Sequence, residues 1–101
     1  MPIHTHRSND DQTLTIGIEG RFDFSTHQEF RNAYEQEGRE VQNFVVDLSD
    51  TTYLDSSALG MLLLLRDFAG GDASRIEIRN CNNDVQRILT ISNFGKLFAI
   101  K

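Results

Sequence analysis

The sequence predicts an α/β fold: a mixed, mostly parallel β-sheet with an N-terminal hairpin, packed against about three α-helices. Three observations predict it. Leu14, Ile16 and Ile18 alternate with Thr13, Thr15, Gly17 and Glu19 at the two-residue period of a half-buried strand. Phe44-Val45-Val46-Asp47-Leu48 is a short, nearly continuous apolar run, the pattern of a central strand covered on both faces. Segments with helical spacing lie between such strands, and strands alternating with helices favour parallel pairing.

In chain order, Ser8-Asn9-Asp10-Asp11 is a turn cluster, so residues 3–7 are expected to pair with the Leu14 strand as a weakly patterned edge. Ser25-Thr26-His27-Gln28 reads as a capping box with Ser25 as N-cap. Phe30, Ala33 and Tyr34 then recur at helical spacing up to about Glu37, with Gly38 as the stop. After the central strand, Asp55-Ser56-Ser57 is a helix start signal. It leads into Ala58-Leu59-Gly60-Met61-Leu62-Leu63-Leu64-Leu65-Arg66-Asp67-Phe68, ended by Gly70-Gly71. Leucines line nearly every face of this segment, so most of it, the leucines at 62–65 included, is expected to be core. Ile76 and Ile78 alternate with Arg75, Glu77 and Arg79 in a further strand. Asn82 or Asn83 caps a third helix with Val85, Ile88 and Leu89 on one face. Phe98-Ala99-Ile100 is a last short strand or a docked tail. No repeat, low-complexity tract or linker breaks this order.

A chain of 101 residues buries roughly two-thirds of the surface its unfolded form exposes, enough for one core. Residues 1–101 are therefore expected to form a single domain without a separate catalytic lobe. The net charge of −5 and the scattering of the ten basic residues argue against nucleic acid as a partner. No apolar run approaches the roughly 18 residues of a membrane span. Met1-Pro2-Ile3-His4-Thr5-His6 lacks the basic and apolar regions of a signal peptide, so a cytoplasmic location is expected, with no insertion into a membrane. Cys81 stands alone among asparagines, with no cation to lower its pKa, and reads as structural. His4 and His6 would share a strand face but lack a third ligand, so neither a metal nor another cofactor is expected. A hydrolase built on Ser56, Asp55 and His27 is set aside: nothing brings the histidine to the serine, and no Gly-x-Ser-x-Gly elbow exists.

The stretch that carries chemistry is Val46-Asp47-Leu48-Ser49-Asp50-Thr51-Thr52-Tyr53-Leu54-Asp55-Ser56-Ser57-Ala58-Leu59-Gly60. It takes the chain from a buried strand through a polar loop into the start of a buried helix. The first turn of a helix offers unpaired N–H groups and the positive end of the macrodipole, which can hold a phosphate locally. Phosphorylating Ser56 would add roughly −1.5 to −2 charges beside Asp47, Asp50 and Asp55. Asp-Ser before an apolar run is equally an ordinary helix cap, and spacing alone favours that plainer reading.

The run Asp47-Leu48 followed by Leu54-Asp55-Ser56-Ser57-Ala58-Leu59-Gly60 resembles the signature of the STAS family, the anti-anti-sigma factor domain. Gly20-Arg21-Phe22-Asp23 is similar to the family's Gly-x-x-Asp step, and Ile91-Ser92-Asn93-Phe94 to the segment closing its last helices. The resemblance implies an anti-sigma factor antagonist that works by partner switching and is itself no enzyme. The implied phosphorylation site is Ser56, and the implied partner surface comprises Asp23, Asp50, Thr51, Asp55, Ser56 and Ser57. Unphosphorylated protein would bind a cognate anti-sigma factor/serine kinase, and a metal-dependent serine phosphatase would restore that form. A monomer alternating between heteromeric complexes fits this scheme. The family also offers a constitutive STAS subunit of a transporter or lipid-trafficking complex as an alternative. Two positions depart from the family pattern: Ala58 replaces a frequent glycine, and Phe22 and Phe24 flank Asp23 where many members carry a leucine and a polar residue.

Overall fold

The structure is a computed structural model that describes residues 2–101. Its strands are β1 (Ile3–Arg7), β2 (Thr13–Ile18), β3 (Gly20–Phe22), β4 (Asn43–Asp47), β5 (Thr51–Leu54), β6 (Ile76–Arg79) and β7 (Ala99–Ile100). The helices are α1 (His27–Glu37), α2 (Ser56–Phe68) and α3 (Asn83–Ile91). A five-stranded sheet runs in the order β1-β2-β4-β6-β7, and β3 pairs with β5 apart from it. Among the described residues only the β1–β2 hairpin is antiparallel; β2–β4, β4–β6, β6–β7 and β3–β5 are parallel. The expected mixed sheet with an N-terminal hairpin and three helices is therefore what the chain forms, and 98–100 resolves into a strand preceded by the buried Phe98.

Register explains the core. Leu14 lies opposite Phe44, and Phe44 opposite Ile76; Ile16, Val46 and Ile78 form the next row. These rows share one sheet face and join Phe30, Tyr34, Met61, Leu62, Leu65, Val85 and Leu89 from the helices in one apolar cluster. Val45 points to the opposite face and is buried as well, as the continuous apolar run of a central strand requires. Where α1 returns to β4, a Cβ on Gly38 would lie 2.5 Å from the Tyr34 carbonyl oxygen and 2.7 Å from the Phe44 ring, so no larger residue fits this close approach.

Three local readings are corrected. Ser25 does not cap α1. A short 3₁₀ turn, Phe24–Thr26, precedes the helix and is capped by Asp23, whose carboxylate accepts the Ser25 N–H at 3.0 Å. The Ser25 hydroxyl also donates to that carboxylate, and Gln28 reaches forward to Asn32 instead of back to a cap. The supposed polar loop after β4 contains β5, because Phe22 and Leu54 bury their side chains together and bring the two short strands into register. Finally, the leucine run is half surface. Ala58, Met61, Leu62 and Leu65 form the buried stripe of α2, while Leu63 and Leu64 are exposed, Leu64 by 50%. A helix lying on one layer buries one stripe, and adjacent residues about 100° apart around its axis cannot all share it.

That stripe gives a direct test. Leu62→Ala should lower unfolding free energy by about 2–5 kcal/mol, and Leu64→Ala by about 0.5 kcal/mol or less, both read from urea denaturation at constant m-value.

Candidate functional site

The site is built where β3 and β5 end. Gly20 takes φ +76°, a conformation that suits glycine, and turns the chain from β2 into β3. Its N–H donates to the Asp50 carbonyl at 2.9 Å. Thr51, at the start of β5, is 2% exposed, and its hydroxyl donates to the Ile18 carbonyl at 2.7 Å. The Asn82 side chain donates to the Thr51 carbonyl at 3.1 Å while accepting the Val85 N–H at 2.8 Å, so the cap of α3 also ties that helix to β5.

At the end of β5 the chain enters α2. Asp55 is the N-cap: one carboxylate oxygen accepts the N–H of Ser57 at 3.0 Å and of Ala58 at 3.2 Å, and the Ser57 hydroxyl donates to it too. Ser56 is the first helical residue, exposed, and its hydroxyl makes no side-chain hydrogen bond among the described residues. The plain capping role therefore belongs to Asp55 and Ser57. Ser56 is left as a free hydroxyl at the positive end of a thirteen-residue helix.

The sequence-derived site residues separate on this geometry. Asp50, Ser56 and, in part, Asp23, Asp55 and Ser57 reach the surface. Thr51 does not: its side chain is inside and holds β5 against β2, so its place in the site is to position the strand. Asp23 binds Arg21 at 3.1 Å as well as Ser25. The Ser25 hydroxyl and then the Arg21 guanidinium hold its carboxyl below the ordinary carboxylate range. Two aromatics here lie outside the site residues expected from the sequence. Tyr53 is exposed, with the Arg21 guanidinium 4.5 Å from its ring centre, and Phe24 is 71% exposed and stacked on His27. The signal available was the departure of Phe24 from a polar position. His27 faces that ring, and no hydrogen bond joins it to Ser56 among the described residues. Burial pushes the Cys81 thiol up, in keeping with an inert cysteine.

A family model described as Mlab, STAS domain matches residues 5–99. The chain belongs to the STAS domain family. It is 57% identical over 100 residues, 99% of each chain, to a STAS-domain-containing protein of Pseudomonas aeruginosa (strain UCBPP-PA14). Its fold is similar to that of the anti-sigma factor antagonist SpoIIAA in its unphosphorylated form, with a TM-score of 0.81 at 17% identity, covering 98% of this chain and 87% of that one. A sulfate transporter family protein from Wolinella succinogenes shares the fold at a TM-score of 0.72 and 10% identity, covering 87% of this chain and 76% of that one. This STAS chain thus has the α/β fold of anti-sigma factor antagonists. No helix among the described residues is long and apolar enough to cross a membrane.

The division of roles at the cap predicts unequal mutants. Asp55→Ala should cost about 0.5–2 kcal/mol of stability, whereas Ser56→Ala should stay within about 0.5 kcal/mol, measured by urea unfolding. Asp23 adds a pH test. Its folded pKa lies below the unfolded one, so its contribution is present above the ordinary carboxylate range and is lost as pH falls through the depressed value. Asp23→Asn should therefore flatten the acid limb of melting temperature against pH.

Proposed function

We propose that this STAS protein is an anti-sigma factor antagonist that works by partner switching, with phosphorylation of Ser56 as the control. The observation that carries the reading is the exposed Ser56 hydroxyl at the start of α2, left free while Asp55 and Ser57 make the cap. Modification there breaks no native hydrogen bond and disturbs no core side chain. The helix N-terminus would hold the added phosphate without unfolding the domain.

The unphosphorylated form binds a cognate anti-sigma factor/serine kinase through the end of the molecule formed by Asp23, Asp50, Asp55, Ser56 and Ser57. The phosphate brings roughly −1.5 to −2 charges to a surface that already carries Asp50 and Asp55. A partner that covers Ser56 would have to desolvate that charge. Losing about 3 kcal/mol weakens binding on the order of a hundredfold, enough to release the partner without a large conformational change. A metal-dependent serine phosphatase returns the protein to its binding form. Ser56 is thus a substrate and not a nucleophile, and the protein is a cytoplasmic binding module with no turnover of its own.

Intact mass of the protein purified from its native cells should show one phosphate increment that disappears in Ser56→Ala. In a pull-down with matched baits, Ser56→Asp should lose at least tenfold of the regulator that Ser56→Ala retains. A constitutive subunit of a transporter or lipid-trafficking complex would show neither effect, and equal recovery by the two baits would sink the switch.

A further inference from the structure

The two chain turns at the functional end are copies of one another. β3 and β5 run parallel with Phe22 opposite Leu54, and each leads into an extended aspartate. Asp23 has φ −143° and ψ −170°, and Asp55 has φ −114° and ψ −176°. Each carboxylate accepts the backbone N–H two residues on, at 3.0 Å from both Ser25 and Ser57, and also the hydroxyl of that serine. An Asp-x-Ser turn therefore occurs twice, and its middle residue is Phe24 in one copy and Ser56 in the other. Paired strands lie about 4.8 Å apart. The two middle residues follow the Phe22–Leu54 pair by the same number of residues, so they leave two adjacent strands at the same depth.

Scattered apolar side chains on a surface are ordinary. Phe24 differs in three ways. It is 71% exposed yet held in place, its ring stacked on His27 with centroids 5.2 Å apart and planes at 11°. Its turn is joined to a second exposed aromatic, since Arg21 binds Asp23 and lies over the Tyr53 ring. It also occupies the position that its twin gives to Ser56. A pre-oriented aromatic loses little side-chain entropy on binding, and such residues dominate interface energetics.

We propose that Phe24 is the anchor of the regulator interface, inserting its ring into an apolar pocket of the partner beside the site that receives Ser56. This rests on the switch reading and names the partner's chemistry at that site. Phe24 then supplies affinity, and the Ser56 hydroxyl decides whether the anchor can seat.

The test uses the serine kinase activity of the native cells, purified by its transfer of the ATP γ-phosphoryl group to the wild-type protein with release of ADP. Phe24→Ala should lower kcat/KM for that transfer at least tenfold, mainly through KM. Phe24→Leu should recover most of the loss without restoring the stack on His27. Leu64→Ala, exposed about two turns further along α2, should stay within twofold. Melting temperatures close to wild type would establish that all three variants are folded. Transfer to Phe24→Ala within twofold of wild type overturns the anchor and leaves the switch standing. If wild type accepts no phosphate that Ser56→Ala loses, the switch reading fails and the anchor with it.

Discussion

The parallel pairing of three-residue β3 with four-residue β5 shapes the whole of the candidate site. Phe22 and Leu54 bury their side chains at its end, the Gly20 N–H donates to the Asp50 carbonyl, and Thr51 bonds back to β2. Together these contacts bring Asp23 and Asp55 level and aim both into helical turns. Each carboxylate then satisfies N–H groups that a helix start leaves without partners. Nothing about Ser56 itself holds it there; its place follows from two strands that end at the same depth.

That arrangement separates rigidity from response. Asp55, Ser57 and Thr51 make the hydrogen bonds that keep the site in shape, while Ser56 and Phe24 project without structural duty toward the core. A surface built in this way can change its charge or its side chains without altering the fold. The same fold is found in the anti-sigma factor antagonist SpoIIAA and in a sulfate transporter family protein. Fold by itself therefore does not select a use. On the proposed reading the side chains presented at the end of β3 and β5 do so, the exposed Phe24 among them.

Much of the architecture was legible because it follows from short-range periodicity. The alternation of Leu14, Ile16 and Ile18 and the apolar run at 44–48 gave two adjacent parallel strands. Of the two asparagines expected to cap α3, Asn82 takes the role. The misreadings share a cause. Ser25 and Asp23 are both competent caps by residue type, and only the extended backbone after β3 decided that Asp23 takes the role. Thr51 looks polar and available in sequence, but pairing with β3 turns its hydroxyl inward to the Ile18 carbonyl.

What the sequence by itself determined was the order of the five strands of the main sheet and the three helices, and the mixed sheet with its hairpin. Pattern within a few residues suffices for these, since burial follows the periods of strand and helix. Only tertiary structure decided which leucines of α2 face solvent, that Asp23 caps the turn before α1, and that Phe24 and Ser56 occupy twin positions. Those facts depend on contacts between segments 32 residues apart in the chain, as in the pairing of Phe22 with Leu54. No local propensity encodes which partner a strand will find or how deep two strands will end.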